Sequence, residues 1–270
     1  MNPVTTHTLE APGARLHYEL RGSGPLIALV GAPMAAPAFA PLAELLASDH
    51  TVLTTDPRGH YNSTLEDPEQ DSTPEIRADD LARLITHLDA GPAVVLGSSG
   101  GAITVLAFAQ AHPELVTAVI AHEPPVTELL DDRSALHAGN EDIIATHLGG
   151  DQLGAWRKFL AQADIAMPEP VIEMVFGNDR DPRQLASESY WFAHELRGTA
   201  LFRPDIEKLR SVRIVVGIGE GSTGQICDRT SRALATALEV DPVLFPGDHT
   251  GFVSEPVAFE ERLRKVLQTL

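Results

Sequence analysis

Short runs of apolar residues, each bounded by Gly, Pro or Asp, recur along the chain and predict β-strands. Several runs, such as residues 26–30, consist of Leu, Ile, Ala and Val without polar alternation. Continuous apolar runs are typical of strands covered on both faces in a mostly parallel sheet. We predict strands over residues 15–20, 26–30, 51–55, 93–96, 116–121, 212–216 and 242–245.

Apolar residues at helical spacing fill the gaps between these runs. One such segment begins at Thr73, whose hydroxyl can cap a helix, and continues with Pro74 and Glu75, which both suit a first turn. We predict further helices over residues 41–47, 101–111, 225–238 and 256–270. The alternation of strands and helices predicts an α/β fold with a mostly parallel central sheet flanked by helices.

The strand pattern stops between residues 126 and 204, where amphipathic helical patterns cover residues 142–147, 156–163, 171–176 and 184–196. We therefore predict a core domain of residues 1–125 and 205–270, with residues 126–204 inserted as a helical cap subdomain. Most large apolar side chains of the insertion should pack its helices, and a minority should line a pocket. They are Trp156, Phe159, Met167, Met174, Phe176, Tyr190, Trp191 and Phe192.

Composition narrows the classes of partner. The chain has 20 Lys and Arg against 38 Asp and Glu, a formal net charge of −18, which repels nucleic acid and anionic lipid. No apolar run approaches about 18 residues, and the first residues lack the pattern of a secretion signal. We expect a cytoplasmic protein with a small-molecule substrate and neither nucleic acid nor membrane as partner. The oligomeric state stays open, a homodimer included.

The stretch that carries chemistry follows the fourth predicted strand and leads into a helix. Gly97 and Gly101 flank Ser99 at −2 and +2, and glycines there allow a tight strand-to-helix turn that exposes the serine hydroxyl. The N–H of Gly100, at the start of the helix, would face a developing oxyanion. Ser98 is the rival hydroxyl, but it lacks this glycine spacing.

A serine hydroxyl needs an adjacent base, for which histidine is best suited. His249 follows the last predicted strand, precedes the last predicted helix and lies 150 residues after Ser99. We predict that His249 is the general base. Cys227 is the only cysteine, which excludes an intrachain disulfide and a thiolate metal cluster.

Four motifs occur in a recognisable order: Val-Gly-Ala-Pro at residues 30–33, Asp-Pro-Arg-Gly-His-Tyr-Asn-Ser at residues 56–63, the Gly-x-Ser-x-Gly turn, and Gly-Asp-His at residues 247–249. Together they resemble the α/β-hydrolase superfamily, in its form with a serine nucleophile and a helical cap, over nearly the whole chain. The resemblance implies that Ala32 gives the second oxyanion-hole N–H, since Pro33 has none. It also implies that Asp56, Arg58 and Ser63 brace a loop. Val30 stands where the family usually has His.

The third member of the implied triad has two candidates. Most of the family places a carboxylate after the penultimate strand, where this chain has Glu220 one residue early. Some branches place it after the strand that follows the nucleophile helix, and Glu123 occupies that position. We prefer Glu123 and keep Glu220 as the alternative acid. Asp248 and Asp228 are weaker candidates, Asp248 because it is adjacent in sequence to the base.

The resemblance implies a carboxylesterase or lactonase that forms an acyl-enzyme on Ser99 and needs neither metal nor cofactor. Two alternatives stay open. The first is a non-hydrolytic or receptor-like scaffold, such as a lyase, a cofactor-free peroxidase or a ligand-binding protein. The second is NAD binding, because residues 219–224 match G-x-G-x-x-G; however, only 46 residues follow, too few for a nucleotide-binding half.

Overall fold

The computed structural model describes residues 3–177 and 179–270. In this part of the chain nine strands form one sheet in the order β1-β2-β4-β3-β6-β7-β8-β9, with β5 paired to β2. The strands are β1 (Thr5–Ala11), β2 (Ala14–Gly22), β3 (Leu26–Val30), β4 (Thr51–Thr55), β5 (Thr64–Leu65), β6 (Ala93–Ser98), β7 (Val116–His122), β8 (Ile214–Gly219) and β9 (Val243–Phe245).

The sheet is antiparallel at one end and parallel through the rest. Strand β2 runs antiparallel to β1, β4 and β5. Strands β4, β3, β6, β7, β8 and β9 lie side by side in that order, and each is parallel to its neighbours. The predicted fold class is therefore confirmed. Because parallel strands end at the same edge of a sheet, the loops after β3, β6, β7, β8 and β9 meet at one edge.

Helices cover both faces of the sheet. They are α1 (Ala36–Leu46), α2 (Pro74–Leu88), α3 (Gly100–Ala111), α4 (Arg133–Leu148), α5 (Gln152–Gln162), α6 (Glu169–Phe176), α7 (Pro182–Tyr190), α8 (Leu196–Ala200), α9 (Ile206–Leu209), α10 (Ile226–Leu238), α11 (Gly251–Ser254) and α12 (Pro256–Leu267). Buried apolar residues of α2, α3 and α10 form a core on one face, and those of α1, α11 and α12 form a core on the other. No described helix has both the length and the apolar composition that crossing a bilayer requires.

The structure adds two strands to the prediction. Strand β1 is exposed over its first four residues, so no apolar pattern marked it. Strand β5 has only two residues. The predicted strand over 212–216 begins two residues later, as β8, and the predicted helix over 41–47 begins five residues earlier, as α1.

Helices α4 to α8 lie between β7 and β8, and residues 126–204 are called the helical insertion below. A π-helical turn, Trp191–Glu195, joins α7 to α8. Trp156 forms the centre of the insertion's own apolar cluster, with ring centroids 4.2 Å from Phe176 and 5.3 Å from Trp191. Met174 is 72% exposed and does not belong to this cluster.

Candidate active site

Ser99 occupies the turn between β6 and α3. Its backbone has φ +56° and ψ −125°, a left-handed conformation that non-glycine residues rarely adopt. The surrounding glycines permit this turn, since a Cβ added to Gly97 would lie 2.2 Å from the Gly101 carbonyl oxygen. A Cβ added to Gly101 would lie 2.0 Å from the Val30 carbonyl oxygen. The backbone of this turn therefore lies so close to the end of β3 that a side chain at residue 101 would clash with it.

The two adjacent serines point to different environments. Ser98 is fully buried, and its Oγ lies 3.0 Å from Nδ1 of His122. Burial lowers the pKa of His122 to about 4, so this ring stays neutral near pH 7. Ser99, in contrast, lines a pocket that is also lined by His249. Of the two hydroxyls, Ser99 is the one that a pocket occupant can reach.

Glu123 binds the ring of His249. It follows β7 in a left-handed conformation, with φ +51°, and is fully buried. Its Oε1 accepts the Gly219 N–H at 2.8 Å, and its Oε2 is hydrogen-bonded to Nδ1 of His249. A carboxylate at Nδ1 fixes the ring so that Nε2 is left for proton transfer.

The alternative acid lies elsewhere. Glu220 is exposed and lines a separate surface hollow with Leu244 and Arg262. The two weaker candidates accept hydrogen bonds from backbone groups: Asp248 from the Thr250 N–H at 2.9 Å, and Asp228 from the Gly224 N–H at 3.0 Å. Among the described carboxylates, the structure brings Glu123 to the imidazole.

The glycines that resemble a dinucleotide fingerprint have another use here. A Cβ added to Gly219 would lie 2.7 Å from the Asp248 carbonyl carbon and 3.0 Å from Oε1 of Glu123. The Gly221 N–H donates to the Gly247 carbonyl oxygen at 2.8 Å. These glycines thus let the loops after β8 and β9 approach closely enough for Glu123 to meet His249.

The electrostatics of the pair favour a charged carboxylate. Burial alone would raise the pKa of Glu123, but the hydrogen bond and positive charge of His249 lower it to about 2. Burial alone would lower the pKa of His249, but Cys227 and Glu123 raise it well above its ordinary value. Glu123 therefore stabilises the imidazolium form of His249.

Cys227 is a neighbour of this pair that the sequence analysis did not place at the site. The Cys227 sulfur, a ring nitrogen of His249 and a carboxylate oxygen of Glu123 all lie within 4.8 Å of one another. A thiolate, an imidazole and a carboxylate together suit a borderline ion such as Zn²⁺. However, Glu123 already binds the His249 ring directly, so a metal ion would have to displace that hydrogen bond.

The pocket lies between the sheet edge and the helical insertion, with a volume of about 820 Å³ including its open mouth. Ala32, Ser99, Gly100 and His249 line its core side. The two predicted oxyanion donors are close in the backbone, since a Cβ added to Gly100 would lie 2.3 Å from the Ala32 carbonyl oxygen. The rest of the described lining consists of Pro33, Pro125, Thr127, Asn140, Phe159, Gln162, Ala163, Ile165, Trp191, Leu196, Thr199, Ala200, Gln225, Ile226 and Cys227.

The loop after β4 is braced by polar side chains. Asp56 is fully buried and accepts the Ala36 N–H at 3.0 Å through Oδ1 and the Asn62 N–H at 3.1 Å through Oδ2. Ser63 donates its hydroxyl to the Asp56 carbonyl oxygen at 2.6 Å. Because Ala36 begins α1, which follows the loop after β3, these bonds tie the segment that carries Ala32 to the loop after β4.

Sequence reasoning also missed Asn140 and Gln162 as pocket residues. For Asn140 the sequence does contain a signal: a polar residue on an otherwise apolar helix face, which it shares with Leu136 and Ile144 in α4. Among the eight apolar residues of the insertion singled out beforehand, Phe159 and Trp191 line the pocket.

Comparisons with known proteins place the chain in a family. Residues 24–164 match the family model for the alpha/beta hydrolase fold. The chain is 32% identical over 280 residues to the uncharacterized hydrolase YraK of Bacillus subtilis, covering 98% of this chain and 97% of that protein. It is 27% identical over 257 residues to the zearalenone hydrolase of Cladophialophora bantiana, covering 93% and 92% of the two chains.

Among solved structures, a hydrolase from Pseudomonas aeruginosa has a TM-score of 0.72 to this chain at 19% identity, with 97% of this chain and 98% of that chain covered. At that identity the likeness shows the fold alone. Both sequence relatives are hydrolases by name, and their matches cover nearly the whole chain. The chain therefore belongs to the α/β-hydrolase fold family.

Proposed function

We propose that this protein is a serine hydrolase that cleaves a carboxylic ester or lactone of a small to medium apolar substrate through an acyl-enzyme on Ser99. The observation that carries the proposal is the Glu123–His249 hydrogen bond beside a pocket that Ser99 and His249 both line. A carboxylate, an imidazole and a serine at one pocket are the groups that acyl transfer uses.

In the proposed mechanism, His249 removes the hydroxyl proton of Ser99 as its oxygen bonds to the substrate carbonyl carbon. The N–H groups of Ala32 and Gly100 stabilise the resulting oxyanion. When the tetrahedral intermediate collapses, the carbonyl–alkoxy bond breaks and His249 gives its proton to the departing alcohol. Water then attacks the acyl carbon as His249 takes one of its protons, the bond from that carbon to Ser99 Oγ breaks as His249 gives the proton to Oγ, and the carboxylic acid leaves. Glu123 orients the ring throughout and stabilises its charged form.

The pocket supports an uncharged substrate. None of the described residues that line it is Lys, Arg, Asp or Glu, and His249, the lining residue that becomes cationic, is already paired with the Glu123 carboxylate. Phe159, Trp191, Leu196 and Ile226 instead provide apolar contact area. We propose that the helical insertion acts as a cap over the sheet edge. The relative named zearalenone hydrolase supports hydrolysis as the reaction class, and the proposed substrate rests on the lining of this chain's own pocket.

The proposal predicts that a fluorophosphonate probe labels Ser99, because an activated serine attacks phosphorus as it attacks an acyl carbon. Ser99→Ala should lose the label and lower kcat on short p-nitrophenyl esters by about 10³-fold or more. Peptide mass mapping and steady-state kinetics measure both effects.

Ser98→Ala is the matched control, because it removes the neighbouring hydroxyl, which is buried and outside the described pocket lining. It should keep both the label and most of the activity. A folded protein that takes no label and turns over no ester, yet binds small apolar ligands, would contradict the proposal and favour the ligand-binding alternative.

A further inference from the structure

We propose that Asn140 and Gln162 form a substrate-selecting amide pair, which binds a neutral carboxamide or hydroxyl group on the part of the substrate remote from its ester. This inference deepens the proposed function and rests on it. Asn140 lies in α4 and Gln162 ends α5, so both belong to the insertion's wall of the pocket. Ser99 and His249 lie on the opposite, core side.

The two amides hydrogen-bond to each other. Gln162 Nε2 donates to Asn140 Oδ1 at 2.7 Å, and Asn140 is only 5% exposed. Each primary amide has two N–H donors and one carbonyl acceptor. This is the one side-chain hydrogen bond of either amide among the described residues, and neither Asn140 Nδ2 nor Gln162 Oε1 is a buried atom without a partner, so both are open to solvent. The pair therefore keeps one unused donor group and one unused acceptor beside the pocket.

The surroundings make a purely structural role a poor explanation. Asn140 lies on the buried face of α4 with Leu136, Ile143 and Ile144, where an apolar residue would pack without losing hydrogen bonds to water. Because these amide atoms are open to solvent, an occupant that displaces water from them must replace the hydrogen bonds that the water makes, and an occupant that cannot do so is disfavoured.

Gly139 packs directly against the Gln162 amide. A Cβ at Gly139 would lie 1.8 Å from Gln162 Oε1, so the absence of a side chain there leaves the space that the amide occupies. Residue 139 thus gives a way to move the amide without changing a polar group.

The chemistry of the remote group follows from these atoms. A group that both accepts from Asn140 Nδ2 and donates to Gln162 Oε1 must carry a carbonyl with an N–H, or a hydroxyl. A carboxylate lacks the donor, and the described lining has no Lys or Arg to pair with it. The substrate class is therefore a neutral ester or lactone with an apolar middle and a carboxamide or hydroxyl at its far end.

The test compares two p-nitrophenyl esters of equal length. One is the ester of adipic acid monoamide, and the other has an isopropyl group in place of the carboxamide. We expect the wild type to prefer the amide ester in kcat/KM by about tenfold or more, the effect of one well-formed hydrogen bond. Asn140→Leu and Gln162→Met, which replace amides by apolar groups of similar size, should remove most of that preference.

Two further variants separate selection from folding. Gly139→Ala should reduce the preference by displacing the Gln162 amide, and it covers the case in which Asn140→Leu fails to fold. Gln152→Met is the matched control, because Gln152 lies in the same helix α5 but outside the described pocket lining. It should keep the wild-type preference. An equal preference in wild type and all folded variants would overturn the proposal while leaving hydrolysis intact.

Binding gives a readout that does not depend on hydrolysis. The same two esters can be titrated into Ser99→Ala, with quenching of Trp191 fluorescence by the nitrophenyl group reporting occupancy. We expect tighter binding of the amide ester, and loss of that difference when Asn140→Leu is added. Absent turnover with intact selective binding would reject the proposed function alone, whereas binding without selectivity would reject the amide pair.

Discussion

At the scale of single residues, the contact between Glu123 and His249 sets the charge of the candidate base. The carboxylate stays ionised at ordinary pH because its pKa is about 2, and Cys227 and this carboxylate together raise the pKa of the imidazole. A general base must be neutral to accept a proton. The proposed activity should therefore fall as pH drops through the pKa of His249, at a pH above that of an ordinary histidine.

Glu123→Gln should lower kcat by about 10²–10⁴-fold, since the ring loses the charge that orients and stabilises it. It should also move the acidic limb of kcat/KM to lower pH, because the carboxylate no longer raises the pKa of His249. The pH profile of ester hydrolysis measures both effects. Glu220→Gln is the control and should change neither, because Glu220 is exposed in a separate hollow. The reverse pattern would make Glu220 the acid.

Residues that belong to a local pattern could be predicted, and those placed by packing could not. The glycine spacing around Ser99 and the loop position of His249 are local signals, and the structure puts both residues at one pocket. Glu123 and Glu220 are the same residue type, and both follow predicted strands. The preference for Glu123 therefore depended on which of the two loops approaches the imidazole. Cys227 gave no local signal, because it reaches the site through the packing of α10 beside the sheet edge.

At the scale of elements, the contact of α3 with β3 holds the Ser99 turn in place. The first residues of α3 approach the carbonyl oxygens at the end of β3 so closely that side chains are excluded. A rigid connection of this kind keeps a catalytic group in position better than a long loop does.

Gly101→Ala should destabilise the protein by about 1–3 kcal/mol and reduce ester hydrolysis, because its Cβ would lie 2.0 Å from the Val30 carbonyl oxygen. Urea unfolding and steady-state kinetics measure the two effects. Gly198→Ala is a matched control in α8, where the nearest atom to the added Cβ is 3.7 Å away. It should be neutral or stabilising by up to about 1 kcal/mol. Equal stability of both variants would mean that the turn can relax.

Element predictions succeeded where burial imposes a pattern on the sequence. Strands β3 and β4 are covered on both faces, and their predicted bounds match the structure. Strand β1 is held by backbone pairing with β2 at the exposed end of the sheet, which leaves its side chains free to be polar. Helix α1 contains Pro41 in its interior, so its first turns were assigned to a loop.

At the scale of the whole molecule, a buried ion pair joins the helical insertion to the core. Glu195 of the insertion is fully buried, and its Oε2 lies 3.0 Å from His60 Nε2 and 3.6 Å from Arg77 Nη1. Arg77 also donates to Thr199 Oγ1 at 3.0 Å. Burial alone would raise the pKa of Glu195, but Arg77 and His60 outweigh it and hold that pKa below its usual value. The buried ion pair and the Arg77–Thr199 hydrogen bond thus hold the pocket wall that contains Thr199 against the core.

Glu195→Gln should destabilise the protein by about 3–5 kcal/mol, because it leaves the buried Arg77 without its counter-charge. The midpoint of urea unfolding measures the loss. Glu141→Gln breaks an ion pair with Arg197 whose side chains are both about half exposed, and it should change stability by less than about 1 kcal/mol. Comparable effects of the two substitutions would show that the buried pair does not anchor the insertion.

Because the described pocket lining has no Lys or Arg, the charge of the product should affect how fast it leaves. Under the proposed reaction a neutral molecule enters, and its acid fragment ionises to an anion in a pocket whose described lining has no Lys or Arg and whose His249 is already paired with Glu123. The protein around it has a formal net charge of −18, so the surrounding field also repels that fragment. The pocket should therefore bind the neutral substrate better than the anionic product. This difference favours rapid release of the acid and weak inhibition by accumulated product.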